Sequence, residues 1–200
     1  MHIAIEGMDG VGKTTAARSL AQSIGFQIVE KPLHFLFDEP GETTKYTQYR
    51  DYINQQEDAH ALRALFYGLG NVFLYHRFEG LDIITDRHLV SNYFWCGGDE
   101  TERIFECLVE IIGKPDFTIL LHATAEESRR RIRSRSPDDP DLVKAGLHPA
   151  AKEKMESFLQ RYSMDHAAID TTHLSPEEVV HEMLDSLPRE LMDRIQERSS

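Results

Sequence analysis

Residues 7–14 read GMDGVGKT, which fits the spacing G-x-x-x-x-G-K-[ST]. Glycines at these intervals let the backbone curl so that successive N–H groups point at phosphate oxygens. A helix starting at the end of such a loop adds its positive end. Lys13 would bridge β- and γ-phosphates, and the Thr14 hydroxyl would ligate Mg²⁺. The nucleotide-binding set is then Gly7, Asp9, Gly10, Val11, Gly12, Lys13, Thr14 and Thr15. A chance glycine-rich turn is the bland alternative, and the flanking strand and helix patterns argue against it. A switch GTPase would also need N-K-x-D after a strand; Gly113-Lys114-Pro115-Asp116 lacks the asparagine and precedes one.

Asp86 and Arg87 follow an apolar run, which places them at the carboxyl edge of a strand, where open α/β sheets bind ligands. Asp86 could hold Mg²⁺ through water, and Arg87 could clamp a phosphate; a plain surface ion pair is the alternative. Arg129, Arg130, Arg131, Arg133 and Arg135 crowd one helical segment. Arg131 and Arg135, four apart, share a face and suit a charged transition state, whereas Arg129 and Arg130 read as solvated. Tyr93, Phe94 and Trp95 could wall a base pocket. The ten histidines show no metal-ligand spacing.

Five short apolar runs must carry these groups: His2–Glu6, Gln27–Glu30, Asp82–Thr85, Phe117–His122 and Ala167–Ile169. They suit parallel strands covered on both faces. Leu62, Leu65, Phe66, Leu69, Val72 and Phe73 repeat at helical spacing and predict a long helix over 58–79 with those residues inward. Ile104, Leu108, Ile111 and Ile112 mark another, ended by Gly113. Ser175-Pro176-Glu177-Glu178 reads as a helix start, and residues 136–149 as a mobile loop. The tail beyond Pro188 reads as an amphipathic helix packing through Leu191, Met192 and Ile195. Strands alternating with helices imply βαβ units and a parallel sheet.

Two hundred residues fit one domain on a prior of about 100–200. The net charge of −12 argues against coating nucleic-acid polymers or anionic membrane, so an anionic ligand needs a local basic patch. No apolar run approaches the roughly 20 residues of a membrane span. The start, MHIAIEG, does not read as a signal peptide, and Cys96 and Cys107 suit a reduced, cytoplasmic chain.

Together, IAIEGMDGVGKTT, ITDRHLVSNYFWCGG, PDFTILLHATAEESRRRIRSR and AAIDTTHLSPEEV resemble, in order and spacing, the thymidylate kinase family. The resemblance implies a three-layer α/β P-loop kinase fold, with a five-stranded parallel sheet of order 2-3-1-4-5 and helices on both faces. It implies ATP-dependent phosphorylation of dTMP or a related pyrimidine deoxynucleotide with Mg²⁺, and a homodimer. It places Arg131 and Arg135 in a lid, about 131–149, that closes over the donor. Asp9 would face the acceptor sugar and Phe66 would stack on its base, although Phe66 also fits the apolar stripe. The candidate catalytic set is Lys13, Arg87, Arg131 and Arg135; the acceptor set is Asp9, Glu30, Phe66, Arg87, Ser91 and Trp95; and the metal set is Thr14 and Asp86.

Three departures concern the acceptor. The family's R-E-P-G-G-T is replaced around VEKPLHFLF, without the diglycine. Its helix arginine falls at Gly70, with Arg63 and Arg77 seven residues away, about 10 Å along the axis. Its glutamine falls at Cys96. A deoxynucleoside kinase with Glu30 as base, or a nucleotide-binding regulator without turnover, are the alternatives.

Overall fold

The computed structural model describes residues 1–42, 44–56 and 58–199. Its strands are β1 (His2–Glu6), β2 (Gln27–Glu30), β3 (Ile83–Asp86), β4 (Phe117–His122) and β5 (His166–Asp170). All pair in parallel in the order β2-β3-β1-β4-β5, as the resemblance implies. The third strand lies one residue later than expected, so Asp86 ends it rather than following it. The register sets Ile5 and Glu30 beside Asp86, and His122 beside Asp170. The chain's chemistry-bearing residues therefore gather at one sheet edge.

The helices are α1 (Lys13–Ile24), α2 (His34–Phe37), α3 (Thr44–Asn54), α4 (His60–Arg77), α5 (Leu89–Cys96), α6 (Glu102–Ile112), α7 (Ala125–Arg135), α8 (His148–Arg161), α9 (Pro176–Ser186) and α10 (Arg189–Ser199). Ser175 and Glu178 form a reciprocal capping box at α9, and Leu191 and Ile195 of α10 are buried. Residues 136–149 do not form a plain loop. Pro140–Leu147 winds as a 3₁₀ helix with Ala145 buried, and α8 starts at His148. Asp139 caps the 3₁₀ helix through the Asp141 N–H, an aspartate-proline start that reads as loop in isolation.

The inward face of α4 also differs from expectation. Leu62, Leu65 and Leu69 stand exposed, while Ala64, Gly68, Asn71 and Leu74 are buried. A Cβ on Gly68 would lie 2.7 Å from Leu108 Cδ1, so the small residues admit α6 at close range. Closeness of approach, not side-chain bulk, selects the face that packs.

His2 is buried within β1, its Nδ1 at 2.7 Å from the Tyr75 hydroxyl and its Nε2 at 2.9 Å from Thr85 Oγ1. Burial, helped by the N-terminal ammonium, lowers it to about 3. The unfolded chain therefore binds a proton near pH 6.5 that the folded chain refuses. This contribution to stability is complete above pH 6.5 and is lost as the pH falls towards 3, by about 1.4 kcal/mol per pH unit. Urea unfolding of His2→Gln between pH 6 and 4 should show a slope shallower than wild type by that amount; equal slopes would place the proton elsewhere.

Candidate functional site

The segment between β1 and α1 holds the phosphate-loop motif. Gly12, at φ 93°, is the N-cap of α1 and offers no side chain to its first N–H groups, so that helix end stays open for an anion. A Cβ on Gly7 would lie 2.1 Å from the Leu121 carbonyl oxygen; only glycine lets the loop cross β4 so closely. Lys13 is buried and its Nζ donates to the Met8 carbonyl at 2.5 Å. Burial and the neighbouring Arg87 lower it to about 8, against the opposing pull of Asp9, Asp86 and Glu6.

The Thr14 hydroxyl donates to Asp86 Oδ2 at 2.5 Å, joining α1 to the end of β3. Asp86 Oδ1 is buried with no hydrogen-bond partner. A hydroxyl beside an uncommitted carboxylate oxygen is an all-oxygen donor set that fits Mg²⁺.

Arg87 adopts φ 76°, rare for a side chain of its size. Its Nη2 donates to Asp9 Oδ1 at 2.5 Å, and its Nη1 to the Gly7 carbonyl at 3.2 Å and Ser91 Oγ at 3.3 Å. Burial opposes the charge on Asp9, but Arg87, Lys13 and Lys144 outweigh it and hold its carboxyl below the usual range. Beneath Arg87 lies Glu6, wholly buried, which accepts from the backbone N–H groups of His88, Val90 and Ser91 and from the Ser91 hydroxyl. The hydroxyl of Ser91, an acceptor candidate, donates to Glu6 and accepts from Arg87 Nη1. Glu6 itself was missed, although an acid ending a buried apolar strand is a signal.

A cleft of about 790 Å³ runs from Asp9–Ala16 to Arg131 and Arg135 and on to residues 172–176. Thr172, His173 and Leu174 line it; they follow β5 within AAIDTTHLSPEEV, a segment that carries the resemblance but holds no candidate site residue. Arg130, read as solvated, also lines it. Arg131 Nε donates to Glu127 at 2.6 Å, Nη2 to the Thr171 carbonyl at 2.5 Å, and Nη1 to Thr171 Oγ1 and the Val11 carbonyl. It braces the cleft wall. Arg135 is exposed at the mouth and pairs with Asp139 and Asp141.

The acceptor candidates divide. Glu30 pairs with Arg18 of α1 at 2.7 Å. Phe66 is half-buried rather than core, nearly parallel to Phe37 at 6.3 Å and edge-on to Tyr67. Tyr93 is a core residue against Phe105 and Phe158, whereas Trp95 is half-buried with Lys144 over its ring at 5.4 Å. Arg77 ends α4 over the Phe78 ring. Arg63 sits in the first turn of α4, where Asn92 of α5 bonds the Ala64 carbonyl. Burial pushes the Cys96 thiol up to about 11, which makes it inert.

The family described as thymidylate kinase matches residues 5–184. A protein of Thermococcus onnurineus named "Probable thymidylate kinase" is 28% identical over 176 residues, covering 81% of this chain and 85% of its own. One of the same name from Methanococcus maripaludis strain C7 is 24% identical over 205 residues, covering 97% and 98%. A structure of deoxyadenosine kinase from M. mycoides with dCMP and dCDP superposes with TM-score 0.64 at 16% identity. It covers 92% of this chain and 97% of that one, a likeness of fold.

Of the three arginines on the cleft, Arg131 and Arg135 should separate on substitution. Arg135→Ala should lower kcat while leaving the melting temperature unchanged, because Arg135 is itself exposed and its ion pairs are screened by solvent. Arg131→Ala should lower kcat and also stability by about 1–3 kcal/mol, since it strips bonds from Thr171 and Val11. Steady-state kinetics with thermal melts reads both, and an unchanged kcat in both variants would return them to a solvated or purely structural role.

Proposed function

The chain belongs to the thymidylate kinase family, and on that premise we propose that it transfers the γ-phosphoryl group of ATP to the 5′-phosphate of dTMP. The observation that carries this reading is the meeting of three charged contacts at one sheet edge: Lys13 over the loop, Thr14 against Asp86, and Arg87 against Asp9. Phosphoryl transfer asks for positioning and charge neutralisation more than covalent help. Lys13 exchanges its Met8 contact for the β- and γ-phosphates, while the open end of α1 and the loop N–H groups hold the remaining oxygens. Thr14 and Asp86 would hold Mg²⁺, which neutralises charge across the transferring group. Arg87 leaves or shares Asp9 to meet the acceptor phosphate, and Arg135, on a lid of about residues 131–149, adds charge from the other side.

A nucleoside acceptor would need a base for its 5′-hydroxyl, and the carboxylate available at the end of β2, Glu30, is paired with Arg18. An ADP-release assay across nucleosides and nucleoside monophosphates should give dTMP the highest kcat/KM. Glu30→Gln should change kcat less than about threefold, whereas loss of a general base costs about 10²–10⁴-fold. Arg87→Ala should lower kcat/KM by about 10²–10⁴, as bonds to ionised groups are worth roughly 1.5–3 kcal/mol each. Faster turnover of thymidine than of dTMP would overturn the reading.

The same reading includes action in the cytoplasm as a homodimer. Supporting the dimer, Leu62, Leu65 and Leu69 of α4 and Ile111 of the neighbouring α6 expose their side chains. Leu65→Glu with Leu69→Glu should sediment as a monomer where wild type sediments as a dimer; an unaltered dimer would assign the contact to another face.

A further inference from the structure

Two of the three departures in the acceptor region meet at one contact. Leu33, in the segment after β2, is almost wholly buried. A Cβ built on Gly70 would lie 3.0 Å from Leu33 Cγ and 3.5 Å from the Pro32 ring. A side chain at position 70 would need Leu33 to give way by a few tenths of an ångström, so the loop after β2 and the glycine on α4 are fitted to one another.

The consequence appears one turn away. Phe37 lies four residues after Leu33, and Phe66 four residues before Gly70, so each pair spans one helical turn. Leu33 on Gly70 forms one rung between α2 and α4, and Phe37 opposite Phe66 forms the next. Those rings are 9° from parallel with centroids 6.3 Å apart. Two faces need roughly 6.8 Å to hold a planar base between them, at about 3.4 Å per stacking step, so the rings must part by at least about half an ångström to admit one. Both rings are half-buried. Each is also buttressed edge-on, Phe37 by Tyr49 at 5.3 Å and Phe66 by Tyr67 at 5.2 Å, with the Tyr67 hydroxyl donating to Asn54. The charge of Arg87 reaches Tyr67, the ring that stands edge-on to Phe66. Asn92 of α5, which starts two residues after Arg87, donates to the Ala64 carbonyl just ahead of Phe66.

We propose that Phe37 is a specificity-determining residue for the acceptor, and that α2 brings its ring against the second face of the nucleotide base whose first face lies on Phe66. The assignment rests on the acceptor being a base-bearing nucleotide, as proposed above. The chain thereby gives up a cation on α4 and gains a second aromatic wall. Its grip moves from the acceptor phosphate towards the base.

The test compares dTMP with 2-deoxyribose 5-phosphate, which has the sugar and phosphate but no base, read as a competitor against dTMP. Phe37→Ala and Phe37→Leu should each raise the KM for dTMP roughly ten- to a hundredfold. The KM for ATP and the Ki of 2-deoxyribose 5-phosphate should stay unchanged, and Phe37→Trp should retain wild-type affinity. Leucine keeps apolar bulk without a π-face, so a merely structural role predicts near-normal behaviour for that variant. An unchanged KM for dTMP, rescue by leucine, or equal weakening of the base-free competitor would each overturn the proposal. If the wild-type enzyme is inert on dTMP but active on another base-bearing acceptor, the substrate reading fails by itself. The Phe37 series on that acceptor then decides this one by the same criteria.

Discussion

Glu6 is the constraint around which the site is built. A carboxylate with no exposed surface is costly unless hydrogen bonds meet its oxygens, and burial does raise its pKa. It is met by three backbone N–H groups at the start of α5 and by the Ser91 hydroxyl, with Arg87 nearby. This satisfies the donors that a helix start leaves unpaired. It also obliges the chain to turn sharply between β3 and α5, and the turn falls on Arg87 at φ 76°. The uncommon backbone geometry is thus held by several bonds to one buried acid. That is the arrangement in which strain persists at a working site.

Held this way, Arg87 is aimed across the sheet edge at Asp9, inside the phosphate loop. Asp9 and Asp86 each sit near Lys13 and Arg87, so the unliganded site balances its own charge. In a protein of net charge −12 this matters, because stray cations would be neutralised by distant acids, whereas cations at a dry edge keep their effect. Incoming phosphates then compete with Asp9 and the Met8 carbonyl for groups already in place. Little reorganisation is left for the moment of transfer.

The strands and the donor loop could be read from the chain because each has a local cause, whereas the strand order came only with the family resemblance. Short β-branched runs give covered strands, and the loop's glycines are needed by its own curl and by β4 beneath it. The orientation of α4 could not, because periodicity shows that Leu62, Leu65 and Leu69 share a stripe but not which stripe packs. That was decided by Gly68 against Leu108, a contact 40 residues apart. Ser91 and Glu30 have partners that were hidden for a similar reason. Their chemistry suits an acceptor, but Glu6 and Arg18 engage them first, and neither partner adjoins them in sequence. Arg131 lines the cleft, and its bonds to Thr171 depend on a loop 40 residues downstream.

Gly70 shows how a residue type can mislead when read singly. At that position it resembles the loss of a function, an arginine deleted from the acceptor's side. With Leu33 in view it is a fit between two segments, since a helix and a loop approach closely only where one of them lacks a side chain. The approach carries α2 along α4 and sets Phe37 opposite Phe66. A charge on the helix would have recognised any phosphate, whereas parallel rings recognise a flat heterocycle. Exchanging one for the other moves discrimination from a group that all nucleotides share to the part that distinguishes them. On that proposal phosphate binding would fall to Arg87, whose position Glu6 already fixes.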